Sequence, residues 1–150
     1  MTIRPYRDAD EPAVVALWQQ CFPANKPWHE PHGDIQRKRA VQPELFLVGL
    51  LDDQLVATIL AGYDGHRGWL YRCAVAPDLR RHGLGRQMVT AALDRLAALG
   101  CPKVNLQVLG SNRDVVAFYE RLGFAVEDRV SLGKQLALDT HPSGRQTRGA

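Results

Sequence analysis

The chain has 150 residues, 45% of them apolar and 23% charged, with a formal net charge of +3. That is enough chain for one domain with a real core, and the composition is that of an ordinary soluble globular protein. Arg145 and Arg148 supply two of the three charges, so residues 1–140 stand near +1. That balance disfavours a nucleic-acid partner, and no apolar run approaches the roughly 18 residues of a membrane span.

The first segment, TIRPYR, reads as a strand. DADEPAVVALWQQCF follows as a helix, with Asp10 as N-cap, Pro12 in the first turn, and Val14, Leu17, Trp18 and Cys21 at helical spacing. PANKPWHEPHG is a loop with three prolines, and DIQRKRAVQ a short second helix. ELFLVGLL and QLVATILAGY are apolar strand-like runs joined at Asp52–Asp53, a hairpin signal. DGHR makes the next turn and GWLYRCAV the next strand, which completes a three-stranded antiparallel meander.

The second half changes rhythm. Leu84, Met88, Val89, Ala92, Leu93, Leu96 and Leu99 mark an amphipathic helix stopped at Gly100. KVNLQVL is a strand. Ser111 or Asn112 caps a further helix with Val115, Phe118, Tyr119 and Leu122 on one face, stopped at Gly123. FAVEDRVSLGKQLALD reads as two final strands. Residues 141–150 lack core residues and are expected to be a disordered tail. The order β-α-α-β-β-β-α-β-α-β-β implies one α/β (α+β) domain over residues 1–140, with a mixed, mostly antiparallel sheet of six to seven strands and about four helices. The polar N-terminus is unlike a signal peptide, which points to a cytoplasmic protein. Cys21, Cys73 and Cys101 are too widely spaced to bind zinc as a set and read as packed or free thiols; no metal is expected.

RRHGLG, residues 80–85, lies where a strand gives way to a helix. Glycine there lets backbone approach a ligand, the helix's first N–H groups point outward, and Arg80, Arg81 and Arg86 add charged donors. The P-loop and dinucleotide fingerprints are both absent. On this stretch alone a phosphate cradle and a sharp turn with solvated arginines stand level.

CAVAPDLRRHGLGRQMV resembles the acetyl-CoA motif of the GNAT superfamily of N-acetyltransferases, [RQ]-x-x-G-x-[GA], met here by Arg80, Gly83 and Gly85. SNRDVVAFYERLGF supplies the family's second element with Asn112, Tyr119, Gly123 and Phe124. The resemblance spans about residues 2–138. The pieces PW, LFLV, GYDGHRG, GCPK, YERLGF and SLGK are similar to a bacterial, YpeA-like branch of that superfamily.

The resemblance implies an acetyl-CoA-dependent N-acetyltransferase acting by direct attack of an amine in a ternary complex. It implies that Cys73, Ala74 and Val75 run along the pantetheine arm. The pyrophosphate would lie on the N–H groups of residues 81–86, that is Arg81, His82, Gly83, Leu84, Gly85 and Arg86. Asn112 would reach the cofactor arm as well as cap its helix, and the N–H of about Val75 would stabilise the oxyanion. Tyr119, a core tyrosine by periodicity, would be the acid that protonates the departing thiolate. Some members carry a Glu as base four residues before the position of Cys73. Trp69 stands there, so that base is not carried over; Asp64, His66 and Glu44 are substitutes by residue type only, and Asp64 and His66 equally suit a turn. A water relay or an already neutral amine needs no base. Trp28, with His29 and Glu30 in the proline-rich loop, borders the acceptor pocket or simply anchors the loop. The expected partner is a small amine acceptor, with a homodimer open. The alternatives are a protein-amine acetyltransferase and a non-catalytic acyl-CoA-binding or regulatory module.

Overall fold

The computed structural model describes residues 1–22 and 26–136. Among these residues five strands and four α-helices follow in chain order: β1 Thr2–Pro5, α1 Glu11–Cys21, α2 Pro31–Ala40, β2 Phe46–Leu51, β3 Gln54–Tyr63, β4 Gly68–Val75, α3 Leu84–Ala98, β5 Val104–Asn105 and α4 Arg113–Arg121. Short 3-10 turns lie at Asp8–Asp10, Pro27–His29, Pro43–Leu45 and Pro77–Leu79. The sheet order is β1-β2-β3-β4-β5, antiparallel throughout except for the parallel β4–β5 pair. The mixed, mostly antiparallel sheet with four helices is therefore as expected.

The strand count is lower than the six to seven expected. KVNLQVL narrows to Val104–Asn105, and residues 125–136 form no strand. Val126, Val130, Leu132 and Leu136 keep an alternating strand pattern yet are exposed, Leu132 at 91%. Alternation supplies a face but not the ladder partner that makes a run a strand. The end of the second expected strand and the tail at 141–150 lie outside the described residues.

The chain forms two compact units, Met1–Arg113 and Asp114 onward. In the first, the sheet register sorts side chains into two faces. Phe46, Val48, Leu60 and Ala74 pack with Val14, Val15, Leu17, Trp18 and Ile35 of α1 and α2. The alternate residues face α3: a Cβ on Gly49 would stand 2.9 Å from the Met88 sulfur, and one on Gly68 3.2 Å from Leu96. Of the helical spacing read over α3, Leu84, Met88, Val89, Ala92 and Leu96 are buried, Leu93 is half-buried, and Leu99, just past the end of the helix, is exposed. Asp52 and Asp53 both take positive φ, 48° and 61°, as a two-residue hairpin turn of matching twist requires.

Asp10 does not cap α1 with its side chain. Its carboxylate turns back to Arg4, accepting from Nη1 at 2.7 Å and Nη2 at 2.9 Å, and accepts the Arg7 N–H at 2.8 Å. A paired guanidinium outcompetes the helix N–H groups for the same oxygens.

Thr58 is the polar exception in the core, fully buried with Trp18. The Trp18 indole N–H donates to the Thr58 hydroxyl at 2.8 Å, and the hydroxyl donates to the Arg72 carbonyl at 3.0 Å. Thr58→Val keeps the shape and removes the link between two buried groups. The expected loss is about 2–4 kcal/mol of unfolding free energy in urea, with Thr58→Ser losing about 1 kcal/mol. A Val variant within about 0.5 kcal/mol of wild type contradicts the argument.

Candidate functional site

The site begins where β4 departs from regular pairing. Ala57 faces Val75 and Thr58 faces Ala74, but Leu60 already faces Tyr71, so Ile59 is opposed by both Arg72 and Cys73. This is a β-bulge, and its first residue, Arg72, takes φ +49°. Beyond it, Ala76 N–H donates to Val56 C=O at 2.8 Å. Polar groups of successive strand residues alternate between edges, so those of Val75 are turned away from β3. The β4–β5 ladder on that outer edge consists of Gly68↔Val104 and Trp69↔Asn105, and β4 runs six residues further, to Val75.

From Val75 the chain passes through the turn Pro77–Leu79 to the start of α3. Arg81 and Gly83 both adopt left-handed backbone, φ +68° and +78°. Gly83 occupies the cap position, and the first backbone bond into it comes from Gln87 N–H, at 3.1 Å. The N–H groups of Leu84, Gly85 and Arg86 precede that bond and point out of the helix end. A Cβ on Gly83 would meet nothing within 4 Å. The glycine thus suits its φ, and nothing of the protein fills the space a side chain would enter. Arg81, His82 and Arg86 are exposed around it. Outward N–H groups at the positive end of a helix dipole, with exposed arginines beside them, are the donor set for a phosphate or diphosphate.

Arg80 is placed differently from the other arginines. Its Nε lies 3.4 Å from the Val75 carbonyl oxygen, and its Nη2 3.6 Å from the Cys21 sulfur. The Cys21 thiol itself points at the same carbonyl, at 3.5 Å. The motif arginine ties the end of β4 to the end of α1. The three cysteines are unbridged and half-buried.

The residues weighed as bases lie apart. Asp64 builds the β3–β4 turn, its Oδ1 accepting the N–H groups of His66 and Arg67, each at 2.8 Å. The N–H groups of Arg67 and His66 hold its carboxyl below the usual carboxylate range, which makes it a weak proton acceptor. His66 is exposed in that turn, and Glu44 is exposed in the turn Pro43–Leu45. Trp69, paired with Gly62, and Tyr71, paired with Leu60, share the face that carries α1 and α2.

On that face Trp28 is half-buried in the turn Pro27–His29. Its carbonyl accepts from Arg37 Nη2 at 2.9 Å, and the Lys26 ammonium stands 5.4 Å from the indole centroid. Glu30 caps α2 through the N–H groups of Gly33 at 2.8 Å and His32 at 3.0 Å, and these two bonds hold its carboxyl below the usual range. The sequence reading passed over Arg72, Asp34 and Thr58, which join this turn to the bulge. The available signal was Thr58, a polar side chain inside the apolar run QLVATILAGY.

Asn112 immediately precedes α4, its N–H donating to Leu109 C=O at 2.8 Å. In the second unit Tyr119 is buried, with edge-on contacts to Phe118 at 4.9 Å and Phe124 at 5.5 Å between centroids. The Tyr119 carbonyl accepts from Leu122 at 3.0 Å and Phe124 at 3.1 Å as the chain leaves the helix through Gly123, φ +92°. Among the described residues no group of three or more His, Cys, Asp and Glu side chains could hold a metal ion.

A mixed sheet whose fourth strand bulges, then leads through a left-handed glycine into a helix N-terminus, frames the candidate site. The chain belongs to the acetyltransferase (GNAT) family, whose model matches residues 12–124, and it is an N-acetyltransferase. It is 40% identical over 139 residues to Acetyltransferase ECA0875 of Pectobacterium atrosepticum, covering 93% of this chain and 98% of that one. Two solved structures share the fold. One is the aminoglycoside acetyltransferase AAC(6')-Iy in complex with the bisubstrate analog CoA-S-monomethyl-acetylneamine, with TM-score 0.75, 16% identity and coverage of 91% and 98%. The other is the PaiA N-acetyltransferase of Thermoplasma acidophilum in complex with coenzyme A, with TM-score 0.71, 20% identity and coverage of 86% and 92%.

Proposed function

We propose that the protein transfers an acetyl group from acetyl-CoA to a small primary amine, by direct attack in a ternary complex. The observation that carries this reading is the left-handed Gly83 cap, with open space above it, at the start of α3. In this reading the diphosphate sits on the N–H groups of residues 81–86. The pantetheine amides pair with the outer edge of residues 73–75, as an added strand would. Asn112 contacts the arm. The amine attacks the thioester carbon, its carbonyl oxygen gathers negative charge at the N–H of Val75, and Tyr119 gives its phenolic proton to the leaving sulfur. The proton lost by the amine passes to water, which returns one to the Tyr119 phenolate; Trp69 stands where some members of the family carry the basic Glu.

The preference for a small acceptor rests on the turn Pro27–His29, where Arg37 holds the Trp28 carbonyl and the indole is half-buried; in this reading the indole covers an apolar part of the ligand. The near-neutral first 140 residues add no broad acidic field to steer a basic peptide.

Release of free CoA, followed by thiol titration over a panel of small primary amines and lysine-containing peptides, tests the reading. The expected result is turnover above hydrolysis with small amines, and Trp28→Ala raising their KM by about tenfold through lost apolar contact. CoA binding without release on any amine favours the non-catalytic module. Faster release with peptides, together with an unchanged small-amine KM in Trp28→Ala, favours a protein-amine enzyme and makes Trp28 a loop anchor.

A further inference from the structure

Arg72 collects more of the site than any motif residue. Its side chain is 8% exposed. Nε donates to Asp34 Oδ2 of α2 at 2.9 Å, and Nη2 donates to the carbonyl of His29 at 2.7 Å. The guanidinium carbon lies 4.5 Å from the Trp18 ring centroid and 5.3 Å from that of Phe22. Asp34 also pairs with Arg37 at 3.4 Å, and Arg37 holds the Trp28 carbonyl. The backbone of Arg72 is the left-handed residue of the bulge, and its carbonyl is held from the core by Thr58 and Trp18.

A strand residue at positive φ costs about 1–2 kcal/mol in an L-amino acid. Glycine would remove that strain but has no side chain. An arginine there serves when backbone and side chain are both needed: the backbone bends β4, and the planar fork reaches a carboxylate and a carbonyl that point from different elements. A lysine would offer a point charge without the fork.

We infer that Arg72 is a positioning residue that locks the Trp28–His29 turn to the β4 bulge, so that the acceptor-side turn and residues 73–75 form one rigid piece. The inference deepens the acetyltransferase reading above and rests on it for the roles of the two ends. It makes occupancy of the cofactor strand felt at the turn, through bonds rather than proximity.

Two substitutions separate the backbone from the side chain. Arg72→Gly keeps the left-handed bulge and removes the fork; Arg72→Val rejects that backbone. The measurements are acetyl-CoA affinity by calorimetry and amide hydrogen exchange with and without acetyl-CoA. In wild type, acetyl-CoA is expected to slow exchange at residues 73–86 and also at residues 29–34, whose amides bond to Lys26, Pro27 and Glu30. In Arg72→Gly the affinity should stay within about threefold, because the bulge survives, while residues 29–34 exchange faster in the free protein and no longer respond to acetyl-CoA. Arg72→Val should weaken acetyl-CoA binding at least about tenfold. Asp34→Asn should reproduce the glycine variant at residues 29–34. Exchange at residues 29–34 that is unaltered in Arg72→Gly, or an acetyl-CoA response there that persists, overturns the inference. Failure of wild type to bind acetyl-CoA overturns the coupling as well as the acetyltransferase reading. A loss confined to the coupling leaves wild-type binding intact.

Discussion

Gly83→Val is expected to weaken acetyl-CoA binding by at least about 100-fold, because each charge-assisted bond from a backbone N–H to a phosphate oxygen contributes about 1.5–3 kcal/mol and the substitution disturbs more than one. Two effects combine in that number. The residue sits at φ +78°, where a β-branched side chain is strained, so the loop shifts and the N–H groups of residues 84–86 lose their common aim. In the proposed cradle the added side chain also enters the ligand's space, where a Cβ meets nothing of the protein within 4 Å. Gly83→Asn separates them, because asparagine tolerates left-handed backbone. It should fold with a stability within about 1 kcal/mol of wild type and still bind at least about tenfold more weakly. Calorimetry on both variants decides the matter. Wild-type affinity in the Val variant removes the cradle from residues 81–86. Wild-type affinity in the Asn variant alone leaves glycine a backbone role only.

The turn into α3 was legible because its signal is local: Gly83 takes the left-handed cap position. Glycine at a helix start after a strand has few uses, and α3 declares itself through five buried residues at helical spacing. The Asp52–Asp53 turn was legible for the same reason: two short polar residues between apolar runs tolerate the paired positive φ that the hairpin needs. The bulge was not legible. Nothing in GWLYRCAV marks Arg72 as left-handed, because the cause lies elsewhere: a hydroxyl on β3, an indole on α1 and a carboxylate on α2. Asp10 holds the N-cap position of α1 as expected, but without the side-chain bond of a cap. Its local sequence fits a helix cap, but Arg4, six residues earlier and brought close by the fold, takes both its oxygens. The run from Val126 to Leu136 has the alternation of a strand, and the described chain forms none there. Local geometry can be read from spacing; pairing depends on residues that spacing does not reveal.

Tyr119→Phe is expected to leave acetyl-CoA affinity unchanged and to lower turnover by roughly 10²-fold, the usual contribution of a positioned proton donor. The ring should keep its edge-on contacts with Phe118 and Phe124, since the substitution removes only the phenolic oxygen. The chemical need arises at the leaving group. A thiol ionises near pH 8.5 and a phenol near pH 10, about 1.5 apart, so a phenol can hand a proton to a departing thiolate at modest cost. Water can also protonate a thiolate, which is why the loss should stop well short of complete inactivation. The pH profile separates this role from packing. A phenol that donates must be protonated, so wild-type turnover should fall on an alkaline limb that the Phe variant lacks. Burial alone is equally explained by a tyrosine that fills the face of α4 with Val115 and Leu122. That role predicts a variant with wild-type turnover, the same alkaline limb and, at most, a change in unfolding temperature. The two outcomes share no observable, so one stopped-flow series across pH on wild type and Tyr119→Phe assigns the residue to the chemistry or to the core.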